Sequence, residues 1–160
     1  HWKARPDYVE MPPDLPAMLR DADAALLIGD EALRAYWELP AGLHAYDLGA
    51  VWSEWTGAPM VYAVWAVRRE FAERHPAAVA TVAEALSGSL AYCRSHLDEI
   101  AAYAARWEPF GPERFRSYFD ALSFRFGPRY REGLARFLAE AADVGELDSV
   151  PTIAVFGEDR

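Results

Sequence analysis

The sequence predicts an α/β fold with an appended helical part. Short apolar runs alternate with short helices in the first half, whereas apolar residues recur at three- and four-residue steps in the second half. The run 60–67 is apolar on both alternating faces, which is typical of a strand that is covered on both sides. These observations predict a sheet with helices on its faces, followed by closing helices.

The composition fits a globular protein of 160 residues with 52% hydrophobic residues. A net charge of −9 argues against broad binding to nucleic acid or to an anionic membrane. No apolar run approaches the length of a bilayer span. The single cysteine, Cys93, excludes an internal disulfide framework and a cysteine-based zinc site, so a cytoplasmic location is the simpler expectation.

Local signals place the elements along the chain. Strands are predicted at residues 5–11, 24–28, 44–48 and 60–67. Asp14 and Asp30 have the side chains that a helix N-cap needs, so helices are expected to begin at each. Further helices are predicted at 49–57, 76–106, 112–122 and 128–142, with Gly88 as a candidate bend in the longest. The tail 148–160 is left open as a strand or a loose segment.

Generic catalytic motifs are absent. The chain has no GxGxxG, GxxxxGK[ST], GxSxG or HExxH pattern. The histidines are scattered without the paired spacing of metal ligands, at His1, His44, His75 and His96. No metal site is therefore expected, and no catalytic residue is assigned.

Gly29 and Asp30 form the first candidate substrate-binding element. They lie between a predicted strand and a helix start, where open α/β sheets bind ligands and backbone N–H groups can hold an anion. Asp30 has two open interpretations. It is either a plain N-cap or a group that meets a ligand hydroxyl or amide, because it would repel a carboxylate.

Thr56 and Gly57 form the second candidate element. Gly57 occupies the position of a left-handed C-terminal residue, and Pro59 follows as a stop signal. The alternatives are a simple helix end or the edge of a ligand cleft. Trp52 and Trp55 share a face of the preceding helix, which favours core packing over ligand contact.

Three stretches carry a resemblance to a known family. They are "AALLIGDEAL", "YDLGAVWSEWTGAPMVYAVWAVRREFAERHP" and "FDALSFRFGPRYREGLARFLAEAADVGEL". These sequence motifs resemble those of the chorismate dehydratases of the futalosine route to menaquinone. The similarity runs to about Leu147, with mild departures at Ala58, Met60 and Tyr62.

The resemblance implies a two-lobed fold like that of type II periplasmic binding proteins. It assigns residues 1–58 to part of the second lobe, 59–147 to the return strand and closing helices of the first lobe, and 148–160 to a tail. The implied reaction is dehydration of chorismate, a small anionic substrate, to 3-[(1-carboxyvinyl)oxy]benzoate, without a metal or organic cofactor. The family's usual sequence begins well before "YVEMPPDL", so we expect this chain alone to be inactive and to expose apolar surface at 60–67.

Other functions stay open at this stage. The related naphthoate synthase of the same pathway shares a "W…TGLP" element, although its following strand is less like "VYAVWAVRR". A type II solute-binding protein would use the same fold to capture a small anion without chemistry. A degenerate interaction module is the third alternative. The oligomeric state is not predicted.

Overall fold

The computed structural model describes residues 5–158, and over that range the chain is built of helices joined by irregular segments. The helices are α1 (Leu15–Asp21), α2 (Gly29–Trp37), α3 (Leu48–Thr56), α4 (Arg69–Arg74), α5 (Pro76–Ser95), α6 (Leu97–Ala104), α7 (Pro112–Ala121) and α8 (Pro128–Asp143). The chain divides into two compact units, His1–Leu48 and Gly49–Arg160.

The predicted α/β fold, and with it the two-lobed binding-protein-like architecture, is wrong for the described residues. No β-strand occurs between residues 5 and 158. The stretches predicted as strands at 5–11, 24–28 and 60–67 have no regular secondary structure, and 44–48 runs into the first residue of α3. A strand exists only when its N–H and C=O groups form a ladder with a second strand, and the described segments provide no such partner for one another.

The apolar run 60–67 is largely exposed, as expected for such a run without a neighbouring strand. Tyr62 is 74% exposed and Trp65 is 70% exposed. The buried apolar side chains of the described residues come from α3, α6, α7 and the segment before α7: Trp52, Ala101, Phe110 and Phe115. The core is therefore formed mainly by helices, and the run 60–67, which was predicted to be a covered strand, does not contribute to it.

In the first unit, one of the two predicted N-caps is confirmed and the other is wrong. Asp14 Oδ1 accepts a hydrogen bond from the backbone N–H of Ala17 at 3.1 Å, as an N-cap does. Helix α2 instead has Ile28 as its N-cap, without a side-chain hydrogen bond. Because this helix begins at Gly29, Asp30 falls inside the first turn, where its charge still complements the helix dipole.

The predicted helix 76–106 is interrupted at His96, and not at Gly88, which lies inside α5. Side chains satisfy the carbonyl groups at the end of α5. The Ser95 hydroxyl donates to the Tyr92 carbonyl at 2.9 Å, and His96 Nδ1 lies 2.9 Å from the same oxygen. Such local bonds compete with the helical pattern. The acids Asp98 and Glu99 then lie in the first turn of α6, where they favour a new helix start.

The last two helices agree with the predictions for 112–122 and 128–142. Each begins with a proline at N1, where the missing N–H costs nothing. Helix α7 packs against α6, and Arg116 Nε donates to Asp98 Oδ1 at 2.5 Å across this pair. The described part of the tail contains no strand.

The two acids Asp14 and Asp30 should differ in what they contribute to stability. Asp14→Ala removes a cap hydrogen bond and should lower the free energy of unfolding by about 1 kcal/mol. Asp30→Ala removes only a dipole interaction, which salt screens, so in 1 M NaCl its cost should be near zero. Urea titrations of both variants, with Asp14→Asn as the control that keeps a cap, measure the difference. Equal losses at high salt would show that Asp30 also caps its helix.

Candidate functional site

The four predicted site residues form two pairs that fall in different units. Gly29 and Asp30 belong to the unit His1–Leu48. Thr56 and Gly57 belong to the unit Gly49–Arg160.

Gly29 and Asp30 present an open helix start. Gly29 has φ +64°, and a Cβ atom placed there would meet nothing within 4 Å, so only the backbone conformation requires glycine. Asp30 is exposed, and its carboxylate does not cap α2. Glu31 beside it pairs with Arg34 at 2.7 Å. The start of α2 therefore combines backbone donors with a carboxylate that the cap does not use.

A groove of about 550 Å³ lies in the same unit, along α1 and α2. Its lining is mostly apolar but includes three carboxylates and one guanidinium; the residues are Pro13, Asp14, Leu15, Pro16, Leu19, Leu27, Glu31, Arg34, Ala35, Glu38, Pro40 and Leu43. Gly29 and Asp30 lie in sequence between the lining residues Leu27 and Glu31 but are not part of the lining. Two of these carboxylates are already engaged, that of Asp14 in the α1 cap and that of Glu31 with the Arg34 guanidinium.

The turn after α3 is fixed by hydrogen bonds of its own residues. The Thr56 hydroxyl donates to the Trp52 carbonyl at 2.7 Å and accepts from the Ala58 backbone N–H at 3.1 Å. The Gly57 N–H donates to the Ser53 carbonyl at 2.9 Å, and Gly57 has φ +72°. The helix end predicted at these residues is confirmed. Since the hydrogen bonds of the hydroxyl are all local, the main effect of Thr56 is to hold this turn.

Helix α8 lies directly on this turn, a contact that sequence reasoning missed. A Cβ atom on Gly133 would lie 2.3 Å from the Pro59 carbonyl oxygen and 3.2 Å from the Pro59 ring. Only glycine permits this approach. The sequence signal was a glycine inside an otherwise regular helical pattern, which often marks close backbone contact.

Trp52 joins the same two helices. Its ring meets Phe137 of α8 at 5.5 Å and Trp55 at 5.5 Å, both edge to face. Trp52 is 7% exposed, whereas Trp55 is 49% exposed, so the predicted packing role holds for Trp52. The buried indole N–H of Trp52 has no hydrogen-bond partner among residues 5–158. An unsatisfied buried donor costs about 1–3 kcal/mol, which the aromatic packing has to offset.

Two further features were sought among residues 5–158: a cluster of metal-ligating side chains and a membrane-spanning helix. Residues 5–158 contain no group of three or more His, Cys, Asp or Glu side chains placed to hold a metal ion. The His75 ring lies tilted against the Phe71 ring and the His96 ring stacks on Tyr92, while His1 lies outside the described residues. None of the helices described is long and apolar enough to cross a bilayer.

Arg131 and Glu158 form an ion pair that the sequence did not indicate. The Arg131 guanidinium donates from Nη1 and Nη2 to the two carboxylate oxygens of Glu158. These hydrogen bonds, opposed by desolvation and aided by charge attraction, lower the pKa of Glu158 from its ordinary 4.5 and raise that of Arg131. Because the folded-state pKa is lowered, the contribution of this contact to stability is present above the ordinary pKa of a glutamate and is lost as the pH falls through the lowered folded-state pKa.

Comparison with known sequences identifies the class of protein. The chain belongs to the menaquinone biosynthesis family, whose sequence model matches residues 1–143. It is also similar to the chorismate dehydratase of Thermus thermophilus, with 40% identity over 67 residues. That match covers 33% of this chain and 25% of the Thermus protein, so the chain aligns with about a quarter of the relative's length.

Gly133 should be much harder to replace by alanine than Gly88. Gly133→Ala places a methyl group against the Pro59 carbonyl and should destabilise the protein by about 1–3 kcal/mol. The matched control is Gly88→Ala in α5, where the new methyl group meets nothing within 4 Å. That change should stabilise by about 0.5–1 kcal/mol through helix propensity. Thermal and urea unfolding of the two variants test this difference in sign, and a stabilising Gly133→Ala would contradict the contact.

Proposed function

We propose that the chain is part of a lyase that dehydrates chorismate to 3-[(1-carboxyvinyl)oxy]benzoate. The observation that carries the proposal is the family match over residues 1–143, together with the similarity to a chorismate dehydratase. The stretches "LLIGDEAL" and "WSEWTGAP" support the same assignment, because they hold both candidate binding elements.

The proposed reaction makes modest chemical demands on the protein. A ring C–H bond and the ring C–OH bond break, water leaves, and the ring becomes aromatic. Aromatisation supplies the driving force, so the protein mainly has to position the substrate and assist the movement of one proton. The substrate carries two carboxylates and the chain a net charge of −9, so local donors such as helix N-termini and arginines have to outweigh the overall repulsion.

We propose substrate-contacting roles for Gly29 and Asp30 of the first unit, and for the turn of Thr56 and Gly57 in the second unit. The backbone of Gly29 opens α2 without a side-chain cap, which leaves N–H donors for an anion. Asp30 has a carboxylate free of capping and suits a substrate hydroxyl rather than a carboxylate. Thr56 holds its turn, and Gly57 keeps the backbone there open to a ligand.

Turnover of chorismate tests the proposal. A polypeptide that carries the complete coding sequence should convert chorismate to the enolpyruvyl benzoate, with and without chelator, as followed by chromatography. Asp30→Asn in that protein should lower kcat/KM about ten- to a hundredfold, the range expected for loss of a charge-assisted hydrogen bond. It should leave the unfolding midpoint nearly unchanged, because the side chain caps nothing.

The matched control is Asp23→Asn, an exposed acid of the same unit outside both candidate elements. The control should retain full kcat/KM. Residues 1–160 alone should show no turnover, because the match spans only a quarter of the relative. Tight binding of a different small anion without turnover by the complete protein would favour a solute-binding function instead.

A further inference from the structure

The contact between Arg131 and Glu158 is built differently from the other described ion pairs. Arg131 uses both terminal nitrogens on one carboxylate, which is the bidentate geometry of specific carboxylate recognition. Its third nitrogen, Nε, donates to the Phe126 carbonyl at 3.1 Å, and the guanidinium lies 5.9 Å from the centre of the Phe126 ring. The Phe126 carbonyl and ring therefore orient the two terminal nitrogens of Arg131, here called the guanidinium fork, before any carboxylate binds.

Arg136 offers a contrast on the same helix. It reaches Glu140 through Nε alone at 3.0 Å, between residues four positions apart. Neighbouring side chains on a helix face meet in this way without any special arrangement. Glu158, by comparison, lies 27 residues along the chain from Arg131, so the chain has to return to make the contact.

The surroundings of Arg131 favour anions within an acidic protein. Arg125, Arg129 and Arg131 lie within seven residues, although the whole chain has a net charge of −9. Arg131 also lies in the first turns of the 16-residue helix α8, whose N-cap Gly127 offers no side-chain hydrogen bond. The positive end of the helix dipole therefore adds to the charge of the arginines.

A turn in the tail brings the Glu158 carboxylate to Arg131. Gly157 has φ +84°, and the Glu158 N–H reaches back to the Val155 carbonyl at 3.4 Å. A turn with glycine at its third position reverses the chain locally. The carboxylate that follows this turn occupies the guanidinium fork. These residues lie beyond the family match, which ends at residue 143.

We propose that Arg131 is a binding site for small carboxylates and that the tail carboxylate of Glu158 occupies it as an internal competitor. A free carboxylate and Glu158 would use the same two nitrogens, so binding of one displaces the other. The inference concerns the tail and the start of α8, and it does not depend on the chorismate assignment.

The test is a titration of the 160-residue chain with benzoate, followed by the NMR signals of the Arg131 Nε–H and of the α8 backbone amides. Glu158→Gln removes the competing carboxylate from Arg131. Benzoate should then bind this variant about three- to fivefold more tightly than it binds the wild type, which is the factor expected for loss of an exposed ion pair. Arg131→Gln added to Glu158→Gln should abolish the benzoate shifts. Neutral benzamide should give none in any variant.

The matched control is Glu140→Gln, which frees Arg136 from an ordinary pair on the same helix. It should bind benzoate as the wild type does and show no shifts at Arg136. Equal benzoate affinity of the wild type and Glu158→Gln would overturn the proposal. Shifts that survive Arg131→Gln, or a gain in Glu140→Gln as large as that in Glu158→Gln, would also overturn it, because any exposed arginine would then suffice.

Discussion

The close approach of helix α8 to the Pro59 carbonyl is the constraint on which the arrangement around the α3 turn depends. Glycine at 133 lets the helix touch the backbone of the turn, and one helical turn later Phe137 meets the ring of Trp52. The Trp52 carbonyl in turn accepts the Thr56 hydroxyl, which holds the residues leading to Pro59. Because these contacts share residues of α3, the turn and α8, each contact restrains the geometry of the others. The candidate binding turn is therefore fixed by packing as well as by its own hydrogen bonds.

Features that depend on neighbouring residues in the chain were predictable from the sequence. Asp14 caps α1, prolines begin α7 and α8, and Gly57 takes the left-handed conformation that ends α3. In each case the signal and its structural effect lie within four residues. The break at His96 also has a local signal, since the acids that follow it favour a helix start. It was missed because apolar residues continue at three- and four-residue steps across it.

Features that depend on distant partners were not predictable. The runs 24–28 and 60–67 have the composition of strands, yet pairing requires a second strand, and the described residues offer none. The contact between Gly133 and Pro59 joins residues far apart in sequence, as does that between Arg131 and Glu158. For the candidate site, sequence reasoning located the α3 turn correctly but gave Asp30 a capping role that the helix start at Gly29 removes. The family was easier to predict than the fold, because sequence motifs identify a family without specifying which residues pair in space.

The central claim is that the α3 turn and α8 are held as one cooperative unit by the Trp52 and Phe137 packing. Native-state hydrogen exchange of the wild type and of Phe137→Leu tests it most directly. Loss of the aromatic contact should cost about 1 kcal/mol. The Gly57 amide, which donates to Ser53, and the amides of central α8 should then lose protection by the same factor of about five. Loss of protection in α8 with an unchanged Gly57 amide would show that the turn keeps its geometry alone, and would contradict the claim.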